Sequence, residues 1–401
     1  MSFKKSCRPI NLIIVAGLWL VACNFSPTYL MTKVASWADE ATATPHIVFS
    51  RATAKPTLTH TPAPMETSTP TPLPTPTSTL VVPYTATPSD TSTPLPTVTA
   101  TDTPEATDTP VAPTPTPTPP SETLDTVFVI VMENSNWSEI RGSEAAPYLN
   151  KVLLPEAAHA EEYYNPPGVH PSEPNYLWLE AGAAFGITND HDPATNHQNT
   201  SMHLVTLLDQ KGVSWKSYQE DISGTDCPLT ANGLYAPKHN PMVYFDDVTD
   251  TNNPDSPYCI AHVRPLSELT ADLQNNSVAG YNFIVPNLCN DMHGNIRCIL
   301  SDRIQNGDDW LANNVPNILN SPAYAHGGVL FITWDEGSGG SDGPIGLLAL
   351  SPKARGGGYS NTIHYTHSSL LRTIQEIFGV TPLLGDAAQA TNLSDLFVTF
   401  P

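Results

Sequence analysis

Residues 126–134 read TVFVIVMEN. Seven residues, mostly large or β-branched and apolar, run without a polar break. That is the pattern of a strand covered on both faces. A glutamate and an asparagine follow at once, where such a strand would end. The same signature recurs downstream. YNFIVP (281–286) is followed by Asn287 and then CNDMHG (289–294). GVLFITW (328–334) is followed by Asp335, Glu336 and Gly337, and IGLLALS (345–351) is a fourth apolar run. Helical patterns lie between them. SMHLVTLLDQKG (201–212) has Ser201 as expected N-cap and Gly212 as stop. SSLLRTIQEIFG (368–379) has Ser368 or Ser369 as cap, an apolar stripe from Leu370 to Phe378, and Gly379 as stop. Strands alternating with helices predict an α/β fold with a largely parallel central sheet and helices on both faces. In open sheets of this kind, sites form beyond the carboxyl ends of the strands. Three strands therefore aim acidic or metal-capable residues at one rim.

The rest of the chain is organised around that domain. Lys4, Lys5 and Arg8 precede the short apolar run INLIIVAGLWLVAC, a signal-peptide pattern covering 1–23. Its end, Leu20–Cys23, matches a bacterial lipobox and predicts lipid anchoring at Cys23. Residues 24–123 read as a stalk, built from about Ala41 onward of Thr, Pro, Ser and Ala. Such composition buries no core and favours extended polyproline II. Residues 124–401 form the expected catalytic domain, and a monomer is expected. Four cysteines remain there, Cys227, Cys259, Cys289 and Cys298, which predict two disulfides in an exported protein. Cys289 and Cys298 are near neighbours, leaving Cys227 for Cys259. With 17 Lys+Arg against 39 Asp+Glu, a net charge of −22, the chain is not drawn by charge alone to nucleic acid or an anionic membrane.

The rim residues are carboxylates, amides and imidazoles. Glu133, Asn134, Asp291, His293, Asp335, Glu336, His364 and His367 are donors for zinc, manganese, magnesium or calcium. Several carboxylates together are costly unless a cation neutralises them. HPSEPNY (170–176) holds Ser172 between two prolines, which stiffen it. Ser172 does not stand in a G-x-S-x-G elbow, so a serine-hydrolase triad built on it is unsupported. A metal-assisted serine attacking phosphorus is the reading these residues favour.

At this point the motifs resemble a family. VFVIVMENSNWSEI, HPSEPNYLWLEAG, SWKSYQED, KHNPMVYF, NLCNDMHG, GDDWL, LFITWDEG and HYTHSSLLRTIQEIFG are similar, in order, to the bacterial acid phosphatase/phospholipase C phosphoesterases. That family is related to the alkaline phosphatase superfamily. The resemblance spans about Thr126 to Thr399 and implies an alkaline-phosphatase-like sandwich. It implies Ser172 as nucleophile, with His293 and His367 assisting catalysis. It implies metal ligands among Glu133, Asn134, Ser172, Asp291, His293, Asp335, Glu336 and His367. At position 336 the relatives carry Asp or His, so Glu336 departs from the pattern. Asn175, Lys238 and His239 are expected to bind substrate, and Asp221 to support them.

The function expected is a metal-dependent phosphomonoesterase of acid phosphatase type, acting through a phosphoserine. Its substrate would be a phosphorylated small molecule or a phospholipid head group. A phosphodiesterase, phospholipase C or phosphatidylinositol-3-phosphatase is the alternative within enzymes. A surface-anchored binding module is the alternative outside them. The expected location is the cell surface or beyond it.

Overall fold

A computed structural model describes residues 123–401. The signal peptide and Cys23 lie outside the described residues, as does all but the last position of the stalk. Among the described residues no helix is long and apolar enough to cross a membrane.

Among the described residues ten strands form: β1 Thr126–Met132, β2 Ala158–Ala160, β3 Tyr163–Tyr164, β4 Trp215–Gln219, β5 Val263–Pro265, β6 Tyr281–Val285, β7 Gly328–Trp334, β8 Leu347–Leu350, β9 Ser360–Asn361 and β10 Tyr365–Thr366. Eight make one sheet in the order β5-β4-β6-β1-β7-β8-β2-β9, and β3 pairs with β10. β5, β4, β6, β1 and β7 run parallel, while β8 is antiparallel to both β7 and β2. Every residue of β7 and all but the first of β1 are buried. Successive side chains alternate faces, so both faces of the sheet are covered. The register pairs Met132 with Trp334, which puts Glu133 and Asp335 side by side at the rim.

Four helices matter for the site: α1 Ser172–Ala181, α2 Leu204–Lys211, α3 Arg303–Leu319 and α4 His367–Phe378. Gly182, Gly212 and Gly379 end α1, α2 and α4 in left-handed conformation, where glycine is favoured. The N-caps differ from expectation. His203, not Ser201, is the N-cap of α2, with extended backbone and no side-chain capping bond. Thr366, not a serine, caps α4, its N–H donating to Ser369 Oγ at 3.1 Å. Gly307 lets α3 approach the loop after β6, since a Cβ there would lie 2.3 Å from Met292 Cγ. Both disulfides formed as expected, Cys227–Cys259 and Cys289–Cys298, and suit an oxidising compartment.

α1 is clamped by a buried ionic network. His203 Nδ1 bonds Glu180 Oε1 at 2.9 Å and its Nε2 bonds Asp247 Oδ1 at 3.0 Å. Its ring stacks on Phe245, and Glu180 also accepts the Val205 N–H. Burial alone would lower the His203 pKa, but the two carboxylates raise it to about 9. The folded pKa lies above the unfolded value of about 6.5. The stabilisation is therefore full below pH ~6.5 and lost as pH rises through about 9, with roughly 3 kcal/mol as an upper bound. Thermal melts from pH 6 to 10 should show this fall in wild type. It should flatten in His203→Gln, and an unchanged slope would remove the network from the account.

Candidate active site

The carboxyl ends of β1, β6 and β7 meet at one rim. Glu133 and Asp335 are both fully buried. Backbone bonds fix them: Asp335 N–H donates to Met132 O at 2.9 Å and Glu133 N–H to Asp291 O at 2.6 Å. Asn134 turns there with φ 30°, and its N–H donates to Asp335 Oδ1 at 2.9 Å. Ser172 opens α1, is buried, and donates its hydroxyl to Glu133 Oε2 at 3.0 Å. A helix N-terminus carries partial positive charge, so Ser172 sits where an anion is favoured. His239 stacks on Tyr176 of α1. Its Nε2 stands 3.2 Å from Glu133 Oε1 and its Nδ1 4.0 Å from Asp291 Oδ2.

The electrostatics of this cluster are adverse as it stands. Burial, then the charges of Asp335 and Asp291, hold the Glu133 pKa well above the carboxylate range. Burial and Glu336 push Asp335 up to about 8, and burial pushes Asp291 to about 7. His239 is kept neutral by burial first, then by the charges of Lys238 and His293. Glu133 Oε1, Asn134 Oδ1, Asp291 Oδ2, Asp335 Oδ2 and His239 Nε2 are buried without hydrogen-bond partners. Buried acceptors are normally satisfied, and facing acceptors require a proton or a cation between them. Carboxylate oxygens and an imidazole nitrogen are donors suited to a divalent cation. Among the described residues no three His, Cys, Asp or Glu side chains already stand close enough to hold one ion. The donors thus fit a cation by chemistry, in an arrangement more open than a filled centre.

Several expected residues are used differently. His367 is buried, with Nε2–H donating to Asp335 O at 2.6 Å and Nδ1 facing the Tyr163 hydroxyl at 3.1 Å. Neither nitrogen keeps a lone pair for a metal or a proton, and burial lowers its pKa to about 4. It positions Asp335. Glu336 accepts from Asn134 Nδ2 at 2.6 Å and from Asn175 Nδ2 at 3.3 Å, and it pairs with His170 Nδ1. It thereby braces the serine loop, with one lone pair of Oε1 left over. Asn175 spends its amide hydrogens on Val169 O, Pro171 O and Glu336, so none is left for a phosphate. His293 is exposed outside the buried cluster, its Nδ1 beside Gly294 O. His364 is exposed against the Tyr164 ring, and Asp221 is exposed, accepting from Asn287 Nδ2. Lys238 lies near the carboxylates and pairs with Asp190 at 2.8 Å, while Asp190 also accepts the Glu173 N–H.

Sequence reasoning missed two contributors, His170 and Asp190, and gave His239 another role. His239 stands among the carboxylates, not merely near substrate. His170 bridges Glu336 and Asp342, its Nε2 lying 2.8 Å from Asp342 Oδ1. Asp190 ties Lys238 to the start of α1. His170 had a signal, since it shares the HPSEPNY motif; Asp190 had none.

The site thus joins a serine at a helix N-terminus to buried carboxylates on the rim of a parallel sheet. The chain belongs to the Phosphoesterase family, whose model matches residues 143–381. It is a hydrolase acting on phosphoric ester bonds. It is 30% identical to a phosphatidylinositol-3-phosphatase of Mycobacterium tuberculosis over 69% of this chain and 83% of that protein. It is 27% identical to an acid phosphatase of Aspergillus niger over 64% of this chain and 58% of that one. The solved phosphonate monoester hydrolase of Agrobacterium radiobacter aligns with TM-score 0.45 and 11% identity, covering 69% of this chain and 78% of that one.

Proposed function

We propose that this hydrolase cleaves phosphomonoesters in two steps through Ser172, with a divalent cation held by Glu133, Asp335, Asp291 and His239. The observation that carries the reading is the Ser172 hydroxyl, 3.0 Å from a buried carboxylate whose other oxygen has no partner. A bound cation would lend positive charge to the serine and phosphoryl oxygens. Glu133 accepts the Ser172 hydrogen bond and is placed to take that proton as Oγ bonds to phosphorus. The ester P–O bond breaks, and the alcohol departs with a proton from solvent. Water then attacks the phosphoserine, the P–Oγ bond breaks, and Ser172 regains its proton from Glu133. Inorganic phosphate leaves. The α1 N-terminus and the Lys238 ammonium add positive potential where charge spreads over the phosphoryl oxygens.

The Mycobacterium relative supports an inositol phospholipid monoester as one substrate class. Turnover of p-nitrophenyl phosphate should exceed that of bis-p-nitrophenyl phosphate by about 100-fold or more. Inorganic phosphate should also be released from vesicles carrying phosphatidylinositol 3-phosphate. A preference for the diester would overturn the monoesterase reading in favour of a phosphodiesterase.

A further inference from the structure

Eight large apolar side chains are exposed among the described residues, and three fall within five positions: Ile296 (77% exposed), Ile299 (68%) and Leu300 (101%). They stand on the loop Met292–Ser301, which begins one residue after Asp291 of the site. The loop is built, not slack. The Cys289–Cys298 disulfide closes it, with Cα atoms 5.9 Å apart. Ile296–Cys298 forms a short turn, capped as the Asn295 side chain accepts the Arg297 N–H at 3.0 Å. At its base His293 N–H donates to Asp291 Oδ1 at 2.9 Å. Arg303 donates to Met292 O at 2.6 Å and to Ser135 Oγ at 2.7 Å, tying the loop to the segment after β1.

Between Asp291 and Asp302 the loop itself carries no negative charge. The protein holds 39 Asp+Glu and a net charge of −22, yet MHGNIRCILS (292–301) has no carboxylate. Arg297 is exposed and makes no ion pair among the described residues, and His293 of the same loop is exposed too. Exposed aliphatic side chains on a fixed loop with an unpaired arginine suit a bilayer surface: the aliphatic groups enter the acyl boundary while the cation meets anionic headgroups. A protein partner fits less well. Three aliphatic residues fall far short of the 20–30 residues a side, about 800 Å² per partner, of a stable interface.

We propose that Met292–Ser301 is an interfacial docking loop, seating Ile296, Ile299 and Leu300 in an anionic phospholipid surface with Arg297 at headgroup level. It places the rim that bears Ser172 and Glu133 next to the lipid phosphates. Docking is a property of the loop and goes beyond the serine chemistry.

The test uses the full chain, so that any contribution of the N-terminal segment is common to all variants. Ile299→Trp adds emission above that of the seven native tryptophans. Vesicles of phosphatidylserine and phosphatidylcholine with brominated acyl chains should quench the added emission, and phosphatidylcholine vesicles should quench it less. Ile299→Ser/Leu300→Ser should partition onto the anionic vesicles about ten-fold more weakly, with p-nitrophenyl phosphate turnover unchanged. Ser172→Ala should bind vesicles as wild type does, which keeps docking readable if the proposed chemistry fails. Unquenched emission, together with wild-type partitioning of the double variant, would overturn the proposal. Loss of self-association in the double variant without vesicle quenching would also overturn it, making the loop a protein contact.

Discussion

Ser172→Ala is expected to lower kcat on p-nitrophenyl phosphate by about 10³-fold or more, with the fold intact. The loss follows from position. The Ser172 hydroxyl is held at the N-terminal end of α1 and donates to Glu133 Oε2 at 3.0 Å. Alanine removes one oxygen and leaves α1 in place, because the helix is fixed elsewhere. Asn175 Nδ2 reaches back to Val169 O and Pro171 O, and Glu173 N–H donates to Asp190. Glu180 at the other end keeps His203. The melting temperature should therefore change little, and circular dichroism should match wild type. A variant that retains a tenth or more of wild-type kcat would take Ser172 out of the chemistry.

Asp335→Asn should separate activity from stability in opposite directions. Asp335 Oδ1 accepts the Asn134 N–H, a bond the asparagine oxygen can keep. Its Oδ2 is buried without a partner, and burial with the charge of Glu336 holds its pKa up to about 8. Asparagine removes that unfavourable charge and at the same time a cation donor. In chelator the variant should melt at or above the temperature of wild type. Calorimetric titration with zinc, manganese, magnesium or calcium should show affinity lowered by about ten-fold or more, with turnover falling alongside. Chelation of wild type should abolish turnover, and the restoring ion identifies the metal. A variant markedly less stable than chelated wild type would make Asp335 a structural carboxylate.

The strands around the site were legible because they are buried on both faces. β1 and β7 coincide with the runs Thr126–Met132 and Gly328–Trp334. Glu133 and Asp335 follow those runs directly, so their convergence was readable once the strands were taken as parallel neighbours. The fourth run, at 345–351, is a buried strand too, but its antiparallel direction leaves no trace in an apolar pattern. The ligand set was harder. His367 and Asn175 have the right chemistry, yet hydrogen bonds use up their free positions, His367 to Tyr163 and Asp335 far along the chain and Asn175 chiefly to Val169 and Pro171 nearby. His239 sits in the short turn Pro237–His239, and only the fold brings it to Glu133. Residue type proposes a donor, and the neighbours decide whether its lone pairs remain available.

The central claim is that phosphorus passes through Ser172 on its way to water. The stereochemical course at phosphorus tests it most directly, using a monoester made chiral with oxygen isotopes and an acceptor alcohol in place of water. Each in-line displacement inverts the configuration, so two in succession restore it. Overall retention is the expected result; overall inversion would mean direct transfer to the acceptor, with no phosphoserine between.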